Sequence, residues 1–238
     1  MQISNGPVER TCAESEIYNE LLSIDNSNIL ELGCGAGELT REIATNYQGT
    51  RILATEVDAI QHGKNSSIDD LPNVHFEFAG AQSIPAEDNS FDIVFMFKSL
   101  HHVPVELMGQ ALDEIHRVLK PGGHAYISEP IFAGDFNELL RLFNDEQAVR
   151  AAAFAALESA VESGRFELVD EVFFNVPAEL ADFDTFEERV IGATHTDHRL
   201  SDDLYQSVKA AFFAAVAQNG GQFKIPVRVD LLRKPLAH

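Results

Sequence analysis

Tryptophan is absent from this chain of 238 residues, and cysteine occurs only twice, at Cys12 and Cys34. Two thiols, one of them inside a glycine-rich turn, make no disulfide framework. Basic residues are also scarce: 17 Lys and Arg stand against 38 Asp and Glu, a formal net charge of −21. Phosphate backbones are bound by Lys and Arg with release of counterions, so this composition argues against a nucleic-acid partner. It argues equally against an anionic membrane surface. No apolar run is long enough to cross a bilayer, and no basic segment leading into an apolar run marks a secretion signal. The expected location is therefore a reducing cytoplasm. What remains is a globular composition, 45% hydrophobic, in a chain long enough to bury a full core without a metal or disulfide staple.

The hydrophobic pattern alternates between two periods. Glu14 to Ser23 follows helical spacing through Ile17, Leu21 and Leu22. Asn28 to Leu32 reads as a buried strand, followed by the turn Gly33-Cys34-Gly35-Ala36-Gly37 and a helix through Leu39, Ile43 and Tyr47. Strands are predicted at Arg51 to Thr55, Val74 to Phe78 and Phe91 to Phe97, the last almost wholly apolar, as a strand covered on both faces should be. A helix from Val105 to Leu119 stops at Lys120-Pro121-Gly122-Gly123, and His124 to Ser128 is the fifth strand. Strands alternating with helices at this spacing imply βαβ units and a parallel sheet. Beyond Pro130 the rhythm changes. A helix is expected over Phe136 to Ser163, a long strand over Arg165 to Val176, helices over Asp184 to Gly192 and Asp202 to Gln218, and a final strand over Phe223 to Leu232. Pro226 in that strand suggests an edge or a bulge. One α/β domain is expected over 1–238, with an N-terminal helical lid (1–27), a core (28–130), insertions reaching the acceptor pocket (131–220) and a closing strand (221–238).

A strand, a glycine-rich turn and a helix start make a nucleotide-binding arrangement. Glycine lets the chain turn tightly and lets a ligand approach with no Cβ in the way. The free N–H groups of the helix start favour a negative group. Glu56, at the end of the second strand, can accept from both hydroxyls of a ribose. The dinucleotide pattern calls for a third glycine at 38, where this chain has Glu38. An acid facing a pyrophosphate there is repulsive, which disfavours NAD.

Glu31-Leu32-Gly33-Cys34-Gly35-Ala36-Gly37 resembles motif I of the class I S-adenosylmethionine-dependent methyltransferases, in their small-molecule, type 11-like branch. Further blocks resemble the same family in order: Ala81 to Pro85 with Asn89 to Asp92, Ser99-Leu100-His101-His102-Val103, and Arg117 to Gly123. The resemblance covers roughly residues 28 to 130. It implies a Rossmann-like sheet of seven mostly parallel strands with the last one antiparallel, and S-adenosyl-L-methionine as cofactor. It also implies that Gly33, Gly35 and Gly37 pass under the methionine and ribose, that Glu31 helps to hold the methionine ammonium, and that Glu56 binds the ribose. The backbone of Ala81 would meet the adenine edge, and Lys98 lies where main-chain carbonyls face the methionine end. Where the family often has Asp, this chain has Gly80, and Gln82 is the candidate substitute. Asp58, the other acid near the second strand, is expected to cap the next helix.

Methyl transfer from a sulfonium is an in-line displacement, so alignment and removal of the acceptor's proton are what the protein must supply. His101 follows the fourth strand and is the candidate general base, since imidazole titrates near neutrality. It matches the position of a base His in plant-type O-methyltransferases; elsewhere in the branch such a His pair only packs the next helix. Tyr18, His102, Glu129, His195 and His198 are expected in the acceptor pocket. His195 and His198 have no further ligand pair of clear spacing beside them, so no metal is expected. No Asn-Pro-Pro-Tyr or Asp-Pro-Pro-Tyr stretch follows the fourth strand and no Pro-Cys nucleophile is present, which speaks against base or amide methylation. The expected activity is methylation of a small molecule at O, N, S or activated carbon. The rivals are a quinone-ring C-methyltransferase, a catalytically silent regulator on the same fold and, third, an NAD oxidoreductase. The oligomeric state is left open.

Overall fold

A computed structural model of the chain describes residues 1–4, 6–192 and 200–236. His195 and His198, expected in the acceptor pocket, lie outside the described residues. Seven strands form one sheet: β1 (Asn28–Leu32), β2 (Arg51–Glu56), β3 (Val74–Phe78), β4 (Phe91–Phe97), β5 (Leu119–Pro130), β6 (Glu167–Glu179) and β7 (Gln222–Arg233). Their order is β3-β2-β1-β4-β5-β7-β6. The β1–β2, β1–β4, β2–β3 and β4–β5 pairs are parallel, whereas β7 runs antiparallel to both β5 and β6. This is the Rossmann-like sheet with one reversed strand that the resemblance implies.

Side chains alternate across a strand, and β4 shows what that does here. Val94 and Met96 join one core cluster, with Leu112 and Ile115 of α4 (Met108–Val118) and Leu157 of α6 (Gln147–Glu162). Phe95 and Phe97 point the opposite way, into a cluster with Ile17 and Tyr18 of α1 (Glu14–Leu21) and Ile43 of α2 (Glu38–Asn46). A strand buried on both faces must be apolar along its buried length, which is why Phe91–Phe97 shows no alternation beyond Asp92, a half-exposed residue near its start that pairs with Lys120. Truncating Phe95 to alanine would cost about 3–5 kcal/mol. A third cluster, with Phe183 and Phe186 of α7 (Phe183–Phe186), Phe212 of α8 (Asp202–Asn219) and Phe223, packs the C-terminal helices together.

Several expected elements change form. The helix expected over 136–163 is two helices, α5 (Asp135–Leu140) and α6, separated by a turn. The helix expected from Asp184 is one α-turn, α7, followed by a π-helical turn over Glu187–Ile191. The stop at Lys120 to Gly123 ends α4, yet those residues already belong to β5. β7, where Pro226 suggested an edge or a bulge, is internal to the sheet. Pro226 is tolerated because the β5–β7 pairing ends at Pro130–Val227, so β7 is locally an edge where its N–H is missing. Among the described residues no helix is long and apolar enough to cross a membrane.

Candidate active site

The carboxyl ends of β1, β2, β4 and β5 converge on one region, where open parallel sheets hold their ligands. Gly33, Gly35 and Gly37 all have positive φ, at 71°, 53° and 74°. L side chains rarely adopt that backbone, so the turn itself calls for glycine. Gly33 has a second reason: a Cβ there would stand 2.8 Å from the Cβ of Ser99, so the loop lies against the segment that follows β4. At Gly35 a Cβ would meet nothing within 4 Å, so the chain leaves open space beside the loop.

Two buried acids flank this loop. Glu56 accepts from the backbone N–H of Gly35 at 2.8 Å through one oxygen, and from Val57 and Asp58 at 2.7 and 2.8 Å through the other. Those three bonds fix the carboxylate at the mouth of the loop. Asp58 caps α3 (Ala59–Asn65), accepting from Ile60 and Gln61, which leaves Glu56 as the strand-end acid. Glu31 is 3% exposed and accepts from Thr40 Oγ1 at 2.6 Å. Burial pushes its carboxyl up to about 7; the Thr40 hydrogen bond opposes this and the nearby Glu56 charge adds to it. Asn65 closes the far side, donating to the Gly35 carbonyl at 2.7 Å. At Gly80 a side chain would run into the Gln82 carboxamide, whose Nε2 lies 2.8 Å from the would-be Cβ. The Gln82 side chain thus occupies the space beside Gly80, next to the buried Ala81.

The chain reverses sharply after β4. Lys98 has φ 54°, a left-handed backbone that costs a non-glycine residue roughly 1–2 kcal/mol. Its N–H donates to Ser128 at 2.8 Å, and its ammonium pairs with the buried carboxylate of Glu14. A 3-10 turn over Leu100–His102 follows. His101 is buried, and its Nδ1 lies 2.6 Å from Glu129 Oε2. Its Nε2 faces Glu146 Oε2 at 3.9 Å. Glu146 precedes α6 and is gripped by Arg150, with Nη2 at 2.6 Å and Nε at 3.1 Å from Oε2. Burial raises the Glu146 carboxyl, but the adjoining His101 imidazole and the Arg150 guanidinium outweigh it, and the net shift is downward.

A cavity of about 250 Å³ opens beside this group. Lys98, His101, His102, Glu146, Arg150 and Arg189 give it polar walls; Ile131, Phe136, Leu140, Val190 and Ile225 give it apolar ones. Ser99, packed on Gly33, falls in the chain between the cavity residues Lys98 and His101. A larger groove of about 750 Å³ lies at the opposite, amino ends of the strands, beside Asn28, Arg51, Val74 and Phe91.

His101 and His102 line this cavity, and Lys98, expected at the methionine end of the cofactor, lines it as well. Two expected pocket residues do not. Tyr18 is fully buried in the core, its ring edge-on to Phe95 and Tyr126. Helical spacing places Tyr18 beside Ile17 on the buried face of α1, and that face covers the sheet. Glu129 is buried behind His101 and is consumed by it and by the N–H of Leu100, so it positions a cavity residue without lining the cavity. Glu146, Arg150 and Arg189 are the residues that sequence reasoning missed. Their only signal is the i, i+4 spacing of Glu146 and Arg150, which is common on solvated helix faces. His101, His102 and Glu146 also form a group whose ligand atoms lie within 4.8 Å of one another, the one such group among the described residues.

Comparison with known proteins agrees with this geometry. Residues 29–123 match the family model described as a methyltransferase domain. The 27-O-demethylrifamycin SV methyltransferase of Amycolatopsis mediterranei is 34% identical over 106 residues, 42% of this chain and 38% of that protein. The demethylmenaquinone methyltransferase of Chlorobaculum tepidum is 32% identical over 126 residues, 51% of this chain and 48% of that one. The chain thus spans under half the length of these two curated relatives. Its fold is similar to that of the YcgJ protein from Bacillus subtilis, with TM-score 0.66 and 20% identity over 94% of this chain and 97% of that one. Motif order, sheet topology and these likenesses together support reading residues 29–123 as a methyltransferase domain on the class I, Rossmann-like fold.

Proposed function

We propose that the protein binds S-adenosyl-L-methionine at the glycine loop and transfers its methyl group to a small molecule held in the cavity beside His101. The observation that carries this reading is the junction of Gly35 and Glu56. The loop N–H, the buried carboxylate and the open space beside Gly35 form one cradle, and Ser99, packed on Gly33, directly follows Lys98 of the cavity wall. The residues fit the cofactor. Glu56 would hold the ribose, Glu31 the methionine ammonium, and Ala81 and Gln82 the adenine edge. When bound, the cofactor supplies an electrophilic methyl on a sulfonium.

The rest is the work of this chain. Glu129 fixes the His101 ring so that Nε2 faces the cavity, where it can take the acceptor's proton. Ile131, Phe136 and Leu140 exclude water from the cavity and bury the apolar part of the acceptor. The insertion at 131–192 supplies most of these walls, whereas α1 lies in the core, so we assign the roof of the acceptor pocket to the insertion. The cavity volume suits a small acceptor. Glu38 starts α2 beside the loop, where an anion opposes a pyrophosphate, so NAD is not the ligand.

Calorimetric titration with S-adenosylhomocysteine tests the cofactor site. Micromolar or tighter binding that is lost in Glu56→Ala supports the proposal, and no binding sinks it. A silent regulator of the same fold would bind the nucleoside yet never release a methylated product.

A further inference from the structure

We propose that the methyl acceptor is an amine nitrogen bearing at least two hydrogens, seated between His101 Nε2 and Glu146 Oε2. The inference rests on the methyl-transfer reading and narrows it to one acceptor chemistry. In the neutral state that proton acceptance requires, Nδ1 donates to Glu129 and Nε2 is left as an acceptor facing the cavity. Glu146 Oε2, opposite it at 3.9 Å, is an acceptor as well. Two acceptors that face one another at this distance need a group that donates to both. An atom about 2.8 Å from each would see them at an angle of about 90°, close to the spread of two N–H bonds on an amine.

Other occupants fit less well. A hydroxyl has one proton and leaves one acceptor facing an oxygen lone pair. A carboxylate or phenolate has none and meets the Glu146 charge directly. A divalent ion about 2.1 Å from both atoms would see them at about 140°, far from a tetrahedral angle, and the Arg150 guanidinium on Glu146 would repel it. Arg150 has a second effect, shared with Lys98. Lys98 paired with Glu14, and Arg150 paired with Glu146, offset the charge of those carboxylates, so the free lone pair that attack requires comes from passing an ammonium proton to His101 Nε2. Glu146, paired with Arg150, and Glu129, paired with His101, are the anions that face the group. In the transfer the nitrogen lone pair forms the N–C bond. The S–C bond breaks with its electron pair left on sulfur, and one N–H proton passes to His101 Nε2 and on to water.

The test uses the full chain with S-adenosylhomocysteine bound and ¹⁵N-labelled histidine, observed by NMR. Benzylammonium chloride and benzyl alcohol are titrated in turn, then methylammonium chloride and methanol. The amines are expected to move the His101 Nε2 resonance saturably, at least about tenfold more tightly than the matching alcohols. Glu146→Gln is expected to erase that preference while the affinity for S-adenosylhomocysteine stays unchanged. Alcohols that match the amines, or amines that leave Nε2 unmoved up to tens of millimolar, overturn the inference. The wild-type comparison decides even if the variant does not fold. Failure of S-adenosylhomocysteine to bind at all would instead remove the cofactor reading beneath it.

Discussion

Glu129 holds His101 from behind: one carboxylate oxygen lies 2.6 Å from Nδ1, and the other accepts from the N–H groups of Leu100 and His101 at 2.9 and 3.4 Å. The acid at the end of β5 thus fixes both the ring and the 3-10 turn that carries it. Removing His101 should lower turnover by about 10²–10⁴ while S-adenosylhomocysteine still binds. Glu129→Gln should cost about 10- to 100-fold, by analogy with other partners that orient a histidine. It should also mix the two ring tautomers, which ¹⁵N NMR reads directly. A single tautomer in Glu129→Gln, with normal turnover, would remove the positioning role.

The cradle predicts a contrast between two substitutions. Glu56→Ala should weaken S-adenosylhomocysteine binding by roughly 1.5–3 kcal/mol, the range for hydrogen bonds to a charged group. Gly35→Val should abolish binding, because its side chain enters the open space beside the loop and its φ of 53° is unfavourable for valine. Titration calorimetry on both variants, with circular dichroism to confirm folding, measures this. Equal and undiminished affinities would place the nucleoside elsewhere.

Glu31 makes the cofactor site pH-dependent. Its pKa in the folded chain, about 7, lies above the usual 4.5 because of burial. A raised acid favours the protonated form of the folded protein, so its contribution to stability is complete below about 4.5 and is lost as pH rises through 7. Binding runs the other way, because a cationic ammonium needs the ionised acid. Affinity for S-adenosylhomocysteine should rise by up to about tenfold per pH unit toward pH 7 and flatten above it. Glu31→Gln should bind more weakly and show no such slope. A wild-type profile as flat as the variant's would contradict the assignment.

Ligand-dependent melting separates the cofactor classes. A ligand at 100 times its Kd adds about 2.7 kcal/mol, which for a chain of this size raises Tm by about 5–10 °C. S-adenosylmethionine and S-adenosylhomocysteine should produce that shift, and NAD should not. A shift with NAD alone would reverse the reading of Glu38.

The half of the chain up to Pro130 was legible because its signals are local. A strand that must be apolar on both faces, a turn that needs positive φ three times and a strand-end acid can each be read within a few residues. Glu146 and Arg150 could not be read that way. Their meaning depends on α6 being packed against the turn after β4, a contact that nothing in the spacing encodes. Tyr18 shows the converse. An aromatic on an amphipathic helix is consistent with a pocket or a core, and only the ring contacts with Phe95 and Tyr126 decide for the core. The break between α5 and α6 had a local signal that the long helical pattern hid: Asn144 and Asp145 are poor helix formers, and Asp145 accepts from the N–H of Gln147 at 3.1 Å.

The strand order β5-β7-β6 has a consequence for how the molecule is made. Within the sheet β6 pairs with β7, and beyond a single bridge from Thr11 to Asn175 residues 167–179 wait for their strand partner until residues 222–233 have been synthesised. β7 must then enter between two strands that precede it, with residues 180–221 intervening after β6. Such non-local pairing is slow, and an unpaired strand is a template for aggregation. The first half can condense around β4 while the ribosome is still working. The wall formed by Ile225 and Pro226 cannot, so the acceptor cavity is among the last features to form, and a chain cut before residue 222 should retain the glycine loop but aggregate through β6.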